Sequence, residues 1–400
     1  MTYPSGATAM RGRYLVRNPA LHLYLRARDA IWALRGRAPT RRSAEAPRRI
    51  LVSIGGHLGD AVMATGVLPV LRENFPQASI SILCAPLQAQ VFRGHATVDR
   101  IHTMDHWFTG RGSTSWPLRI LRSARDAATL AHELRDADYD VAIDLCQFFP
   151  NRSEILHRAG IPVRVGYDSG GGGPLLTVGR PWRETRDHAI EHHLHLLREW
   201  HPPLRAGAAR YDLPPITAAD AAAAAALLRD RGVTSPYIVI HPGTGNLLKA
   251  WPVEHWEALL RRLAGAPGEL KVVLTGAGHA DRLIAQRLTR TFPEVTSLCD
   301  ATSWGVFRGV LAGARAVVGA DSVAAHVAAA EGVPSLSLMA AMGDPQHWRP
   351  LGPLASILTA EVPCAPCFRS RGCHAMSCIR NIRPDEAFLV VQSALDQSGT

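Results

Sequence analysis

Two short stretches, far apart in the chain, each contain a strand, a loop and a helix start in that order. The first runs from Ile50 to Asp60 and reads ILVSIGGHLGD, and the second runs from Val317 to Ser322 and reads VVGADS. Each is an apolar strand that ends in a glycine-containing loop before a helix of small residues, as in nucleotide-binding α/β units. The pair predicts two nucleotide-fold halves that face one cleft.

The length and net charge of the chain indicate how many domains it has and which class of partner it binds. A chain of 400 residues exceeds what one hydrophobic core usually supports, so two domains are expected. The net charge of +10 favours an anionic partner such as a phosphorylated substrate, a nucleotide or a lipid surface, and no motif supports nucleic acid. No run approaches the about 18 apolar residues of a membrane span. We therefore expect a cytoplasmic protein, with peripheral contact at the inner face of an anionic membrane left open.

Short apolar strands alternate with helical stretches from residue 49 onward, which predicts an α/β fold with parallel sheets. A helix from His188 to Trp200 is followed by His201-Pro-Pro203, and paired prolines end a helix, so the first domain should end there. The predicted segments are a basic N-terminal extension over 1–45, a first domain over 46–203, a second domain over 204–383, and a final helix over 384–400.

Three segments leave alternatives open. Leu21 to Leu34 could form an amphipathic helix on an anionic membrane, but a helix packed on the protein itself is favoured. Gly170 to Gly173 is expected to form a flexible loop rather than a lid. His188, His192 and His195 share a helix face and could imitate a metal site, but an exposed or interdomain face is favoured.

The loop after the first strand contains Gly56, His57 and Gly59, which let the backbone approach a ligand, and Asp60 stands where a helix begins. By itself Asp60 could be a helix cap that contributes about 1 kcal/mol. A nicotinamide-binding fold would place an acidic residue at the end of the second strand. The second strand, Ser79 to Cys84, contains none, so a nicotinamide enzyme is disfavoured.

A second glycine turn follows the strand from Tyr237 to His241. Gly243, Thr244 and Gly245 can offer backbone amides and a hydroxyl to a phosphate, and Lys249 can offer an ammonium group. These residues are candidate donor contacts.

Asp321 and Ser322 begin a helix whose amino terminus can hold a diphosphate, and His326 lies one turn further on. Taken in isolation, Asp321 would be a helix cap and His326 would be a histidine of the hydrophobic core. Together with the glycine turns they become candidate ligand contacts.

Four cysteines within a short stretch have the number and type of ligands that a tetrahedral zinc or iron site uses. A structural metal is favoured over free thiols and over disulfides, without a part in catalysis. The cysteines are Cys364, Cys367, Cys373 and Cys378.

Taken together, Ile50 to Asp60, the stretch PGTG at 242–245 with KAWP at 249–252, and DSVAAH at 321–326 resemble glycosyltransferase family 9, the heptosyltransferases of bacterial lipopolysaccharide assembly. The resemblance covers the chain from about residue 49 to the end. It implies a GT-B fold, with acceptor binding by the first domain and nucleotide-sugar binding by the second, and it leaves open whether the last helix crosses back. It also implies an inverting transfer, most often from ADP-heptose, without a catalytic metal.

The resemblance also implies residue roles. Asp60 would be the general base, and Lys249 would contact the leaving diphosphate or the donor sugar. Asp321 would hydrogen-bond the sugar, with Ser322 on the phosphates and His326 on the same helix. Asp281 is the candidate for the ribose contact, because Gly278 stands where the family tends to present a glutamate.

The acceptor remains open among a lipopolysaccharide core, a related surface glycan, a protein and a small natural product. A nucleotide-sugar-binding protein that has lost catalysis is the alternative from another class.

Overall fold

The computed structural model describes residues 14–16, 18–36, 46–106, 116–182, 187–265, 270–367 and 372–397. Contacts divide the chain into two compact units, Met10–Pro214 and Pro215–Thr400. Within the described ranges, each unit contains one six-stranded sheet in which all neighbouring strands are parallel. The predicted α/β class with two parallel sheets is confirmed.

The strands of the Met10–Pro214 unit are β1 Arg49–Ser53, β2 Ser79–Cys84, β3 Arg100–Thr103, β4 Val141–Asp144, β5 Val163–Tyr167 and β6 Val178–Arg180. Its helices are α1 Pro19–Leu34, α2 Leu58–Ala64, α3 Leu68–Asn74, α4 Ala89–Phe92, α5 Trp116–Asp136, α6 Ser153–Arg158 and α7 Ala189–Trp200. The sheet order is β3-β2-β1-β4-β5-β6. The central strands are buried along nearly their whole length, as expected for a parallel sheet covered on both faces.

The strands of the Pro215–Thr400 unit are β7 Tyr237–His241, β8 Lys271–Leu274, β9 Thr296–Ser297, β10 Ala316–Ala320, β11 Ser335–Leu338 and β12 Ala355–Leu358. Its helices are α8 Ala218–Asp230, α9 Val253–Ala264, α10 His279–Thr291, α11 Trp304–Ala312, α12 Val323–Ala330, α13 Pro345–Trp348, α14 Ser377–Arg380 and α15 Pro384–Gln397. The sheet order is β12-β11-β10-β7-β8-β9, which is the order of the first sheet read from the other edge.

This strand order fixes where ligands are expected. In a doubly wound sheet the order reverses at one point, and ligands bind beyond the carboxyl ends of the two strands that flank it. Here those strands are β1 and β4 in one unit, and β7 and β10 in the other. The loops that the sequence singled out follow β1, β7 and β10.

The structure differs from the prediction at the domain boundary. The chain between α7 and Pro214 stays on the first unit, because Arg205 N donates to Asn74 Oδ1 at 2.9 Å and Asp212 N donates to Thr65 Oγ1 at 3.0 Å. The units divide after Pro214 instead of after Pro203.

The final helix packs on its own unit. Helix α15 lies against α9, β10 and β11. Ala387 and Val391 of α15 are buried in that unit's core.

Part of the predicted basic extension is integral to the first unit, while 1–13, 17 and 37–45 lie outside the described residues. Helix α1 packs against the short helical turn Gly173–Leu175, with Leu25 and Asp29 buried. The packed alternative for this helix is therefore the one observed. Among the described residues, none of the helices has both the length and the apolar character that crossing a membrane requires.

Two other local expectations were wrong. Gly170 to Gly172 are buried rather than exposed in a loose loop, and Gly172 N donates to Asp29 Oδ1 at 2.8 Å. His188 and His192 are buried, so of the two settings expected for their helix face the exposed one is wrong. His188 accepts a hydrogen bond at the start of α7, and His192 packs on Trp182.

Candidate active site

The first candidate loop connects β1 to α2 and is built around Asp60. His57 N donates to Asp60 Oδ2 at 2.6 Å, so this carboxylate caps the amino terminus of α2. Gly56 has φ of +78°, and a Cβ placed there would lie 2.4 Å from Asp60 Oδ2. Glycine at 56 is therefore required both by the backbone angle and by the close approach of the carboxylate.

A buried glutamine that the sequence analysis missed holds this loop in place. Gln88 Nε2 donates to Gly55 O at 3.0 Å and to His57 O at 2.9 Å, and Gln88 is 2% exposed. A polar residue at the start of a four-residue helix gives no distinctive sequence signal. Its role depends on β2 lying beside β1 in the sheet.

Asp144 lies at the end of β4, on the other side of the switch point, and is fully buried. Its carboxylate accepts from Ser53 Oγ at 3.1 Å, from Cys146 N at 3.2 Å and from Arg152 N at 2.8 Å. Burial raises the pKa of Asp144, and these donors oppose the shift. Asp144 therefore serves to tie β1, β4 and the next loop together, whereas Asp60 is partly exposed.

The second candidate site joins the loop after β7 to the end of β10. Lys249 Nζ lies 2.7 Å from Asp321 Oδ2, and Thr244 Oγ1 donates to Asp321 O at 3.2 Å. The Lys249 side chain is 33% exposed and that of Asp321 is 13% exposed, so the ion pair is partly shielded from water. The structure thus brings together Thr244, Lys249 and Asp321 at the switch point of the second sheet.

Gly243 and Gly245 belong to the same loop, and Gly243 is in close contact with Asp281. A Cβ at Gly243 would lie 2.2 Å from Asp281 Oδ2, and that oxygen also accepts from Ala277 N at 2.9 Å. Asp281 is therefore held against the β7 loop at the start of α10. This places the candidate ribose contact beside the candidate phosphate loop.

Ser322 is the residue before α12, and its hydroxyl oxygen is buried without a hydrogen-bond partner among the described residues. The backbone amides at a helix amino terminus and an adjacent hydroxyl form a common anion-binding arrangement. Because a buried polar atom without a partner costs about 1–3 kcal/mol, a ligand atom is the natural partner for this one. Ser322 and the amino terminus of α12 can hold a phosphate next to Lys249.

The comparisons with known proteins agree with this arrangement. Residues 127–376 match the family described as glycosyltransferase family 9 (heptosyltransferase), and they make up more than half of the chain. The chain belongs to glycosyltransferase family 9. The family and the enzyme class expected from the sequence are confirmed.

Several curated relatives are lipopolysaccharide heptosyltransferase 1 proteins. That of Pseudomonas aeruginosa is 32% identical over 142 residues, which cover 36% of this chain but only 39% of the relative. That of Salmonella typhimurium is 26% identical over 291 residues, which cover 72% of this chain and 87% of the relative.

Solved structures share the fold. The E. coli ADP-heptose lipopolysaccharide heptosyltransferase II has a TM-score of 0.70 at 21% identity, over 88% of this chain and 100% of that one. The glycosyl transferase family 9 protein of Veillonella parvula has a TM-score of 0.69 at 18% identity, over 89% of this chain and 100% of that one. At these identities the likeness establishes the GT-B fold alone.

In this family 9 chain the cysteine segment packs beside the turn that carries Lys249. A Cβ at Gly372 would lie 3.2 Å from the methyl groups of Leu248. Burial raises the pKa of Cys378, and the charges of Cys367, Cys373 and Cys364 raise it further, so the four thiols lie in one region. Within the described ranges, no three His, Cys, Asp or Glu side chains are positioned to hold a metal ion. The structural metal stays a prediction.

His326 lies on α12 and is 5% exposed. Burial lowers its pKa from the ordinary 6.5 to about 4, with Asp321 raising it and Lys249 lowering it. The lowered pKa favours the neutral imidazole near pH 7.

A pH series should reveal the buried state of His326. The unfolded chain binds a proton at this residue near pH 6.5 and the folded chain only near pH 4, so the free energy of unfolding should fall as the pH drops between these values. His326→Gln should make the fall in Tm shallower, while His279→Gln, at an exposed histidine, should retain the slope of the unmodified protein. An unchanged slope in His326→Gln would contradict the assignment.

Proposed function

We propose that this protein transfers heptose from ADP-heptose to a hydroxyl group of a lipopolysaccharide core or a related bacterial surface glycan. The observation that carries the proposal is the Lys249–Asp321 ion pair beside the hydroxyl of Ser322 at the start of α12, which is buried and has no partner within the part of the chain that the structure describes. The relatives named lipopolysaccharide heptosyltransferase 1 support the choice of sugar and acceptor. An E. coli heptosyltransferase structure that contains ADP-2-deoxy-2-fluoro heptose, with a TM-score of 0.61, supports the choice of nucleotide.

In the proposed reaction, Asp60 accepts the proton of the acceptor hydroxyl as its oxygen attacks C1 of the heptose. The new bond forms from oxygen to C1, the bond from C1 to the phosphate oxygen breaks, and the electron pair leaves with ADP. The configuration at C1 inverts because attack and departure occur on opposite faces of the sugar. No step requires a metal.

The departing ADP gains negative charge on its terminal phosphate. The α12 amides, Ser322 and Lys249 are positioned to stabilise that charge, which grows between the bound donor and the transition state. Asp321 orients the ammonium group of Lys249 and can bond a sugar hydroxyl. Thr244 and the glycines Gly243 and Gly245 shape the loop around the phosphates.

We place this enzyme in the cytoplasm, with peripheral contact at the inner face of the cytoplasmic membrane, where a glycolipid acceptor would be found. The net charge of +10 supports attraction to an anionic surface.

The function is tested by calorimetric titration with ADP-heptose and with GDP-, UDP- and dTDP-sugars, followed by transfer assays with lipopolysaccharide core acceptors. Selective binding of ADP-heptose and its consumption only when a core acceptor is present would support the proposal. Selective binding of another nucleotide sugar would refute the donor. Donor binding without transfer to any acceptor would favour a non-catalytic binding protein.

A further inference from the structure

Helix α1 carries a concentration of exposed apolar side chains. Of the twelve large apolar side chains that are exposed among the described residues, four lie on this helix of 16 residues. They are Leu23, Tyr24, Ile31 and Leu34, and Leu34 is 88% exposed. Exposed apolar patches on a folded protein commonly mark a surface that binds a partner. We refer to these four residues as the outer face of α1.

The other side of α1 fastens the helix to the first unit. Asp29 is buried and accepts from Tyr14 Oη at 2.9 Å and from Gly172 N at 2.8 Å. Trp32 packs edge-on against His157 of α6. Packing therefore uses one side of α1 only, and the helix cannot turn its outer face inward without breaking these contacts.

Helical geometry gathers the outer apolar residues into one stripe. Leu23, Ala27, Ala30 and Leu34 are all exposed and follow one another at spacings of three and four residues. At 3.6 residues per turn these positions share one side of a helix, and Leu25, which is buried, lies on the opposite side. The helix is therefore apolar both where it packs and where it is exposed.

Arginines border the exposed stripe. Arg26 and Arg35 are exposed and lie on opposite borders of it. The guanidinium carbon of Arg35 is 5.2 Å from the centre of the Trp32 ring, which holds this charge beside the helix. The one acidic residue of α1, Asp29, is buried, so the exposed charges of the helix are positive.

The charge around α1 selects the kind of partner. Residues 11–42 contain nine arginines and one acidic residue, Asp29. On the neighbouring helix α6, Arg158 and Glu154 pair with each other and leave this excess unchanged. A second copy of the chain would bring like charges together, whereas an anionic lipid surface would attract them.

We propose that the outer face of α1 docks on a membrane that contains anionic phospholipids, with the helix axis parallel to the surface. The apolar side chains of the outer face enter the boundary between headgroups and acyl chains, while Arg26 and Arg35 reach the lipid phosphates. Because α1 is fastened to the unit that carries Asp60, docking keeps that unit at the membrane.

The inference rests on the proposed function, which places a glycolipid acceptor at the membrane, and it names the surface that makes the contact. Helix α1 ends at Leu34, and the match to family 9 begins at residue 127. Membership of the family therefore does not by itself imply this surface.

The test is flotation of the full chain with vesicles of phosphatidylcholine alone and with vesicles that also contain phosphatidylglycerol. We expect binding to the anionic vesicles that weakens as the salt concentration rises, and little binding to the neutral ones. Ile31→Glu and Leu34→Glu place a negative charge in the contact and should weaken binding about tenfold or more. The double change Arg26→Gln and Arg35→Gln should weaken binding and reduce its dependence on salt.

Two leucines of the other unit provide matched controls. Leu283 on α10 and Leu389 on α15 are also exposed, so Leu283→Glu and Leu389→Glu add the same charge away from α1 and should bind vesicles as the unmodified protein does. Since Ile31 and Leu34 are exposed as well, the Tm of their variants should match that of the unmodified protein. If Ile31→Glu does not fold, Leu34→Glu decides.

Equal vesicle binding by Leu34→Glu and Leu283→Glu would overturn the proposal. So would an unmodified protein that does not bind the anionic vesicles, or that binds both kinds of vesicle equally. Light scattering tests for a second copy on the same face. A protein of two chains that Leu34→Glu converts to one chain, and that does not bind vesicles, would overturn the proposal too.

A water-soluble core acceptor without lipid separates this surface from the proposed function. Leu34→Glu should keep the kcat of the unmodified protein with that acceptor and transfer heptose more slowly to an acceptor embedded in anionic vesicles. Loss of vesicle binding in Leu34→Glu, in a protein that transfers no heptose, would uphold the surface and refute the proposed function. Heptose transfer by a protein that does not bind vesicles would do the reverse.

Discussion

Asp60→Asn should reduce the rate of sugar transfer by about two to four orders of magnitude, the range expected when a general base is lost. Asparagine keeps a side-chain oxygen that can accept the bond from His57 N, which is 2.6 Å long in the structure, but it cannot take up the acceptor proton. The amino terminus of α2 should therefore stay capped. We expect kcat to fall while Tm and the affinity for ADP, measured by calorimetry, stay close to those of the unmodified protein.

Asp60→Ala separates the two roles of this carboxylate. It removes both the base and the cap, so it should lose as much activity as Asp60→Asn and also about 1 kcal/mol of unfolding free energy. If Asp60→Asn instead retained most of its activity and Asp60→Ala lost stability alone, Asp60 would be a structural cap and the base would have to be sought elsewhere.

The two roles of Asp60 show what could be predicted from the sequence. The glycine-containing loop before α2 and the start of that helix close to Asp60 are local features, so their positions follow from residue type. The hydrogen bond of Asp60 to His57 is local as well. By contrast, the hydrogen bonds of Gln88 join the segments that follow two neighbouring strands, β1 and β2, and the sequence pattern does not predict them.

The pairing of Lys249 with Asp321 was likewise beyond the sequence. Each residue stood out by itself, one after a glycine turn and the other at a helix start. The 2.7 Å ion pair spans 72 positions and exists because β7 and β10 are neighbours in the sheet. The resemblance to family 9 implied both residues as donor contacts but not their contact with each other.

The largest departures from prediction involve burial and not secondary structure. Helix α1 was anticipated near Leu21 to Leu34, yet its packing depends on Asp29, which bonds to Gly172 across 143 positions. Likewise, His188 and His192 lie on a helix of the predicted extent but face the interior. Helical periodicity shows which residues share a face, and it does not show which face is covered.

Lys249→Ala should lower kcat by about a hundredfold to a thousandfold, the effect of removing one preorganised donor from a transition state that gains charge. The ammonium group has three N–H donors, and the bond to Asp321 uses one of them. Because the phosphate charge grows as ADP leaves, kcat should fall more than the affinity for the intact donor. Steady-state kinetics at saturating acceptor measures kcat, and calorimetric titration with ADP-heptose measures the affinity for the intact donor.

Lys271 provides the matched control, because Lys249 and Lys271 are the two lysines of the chain. Lys271 begins β8, so it lies at the amino end of its strand, away from the edge of the sheet where β7 and β10 end in the donor loops. Lys271→Ala should therefore leave kcat and donor affinity unchanged. A Lys249→Ala enzyme with normal kcat and weakened donor binding would mean that Lys249 holds the ground state and the transition state equally. In that case Ser322 and the backbone amides of α12 would be the groups that stabilise the leaving ADP.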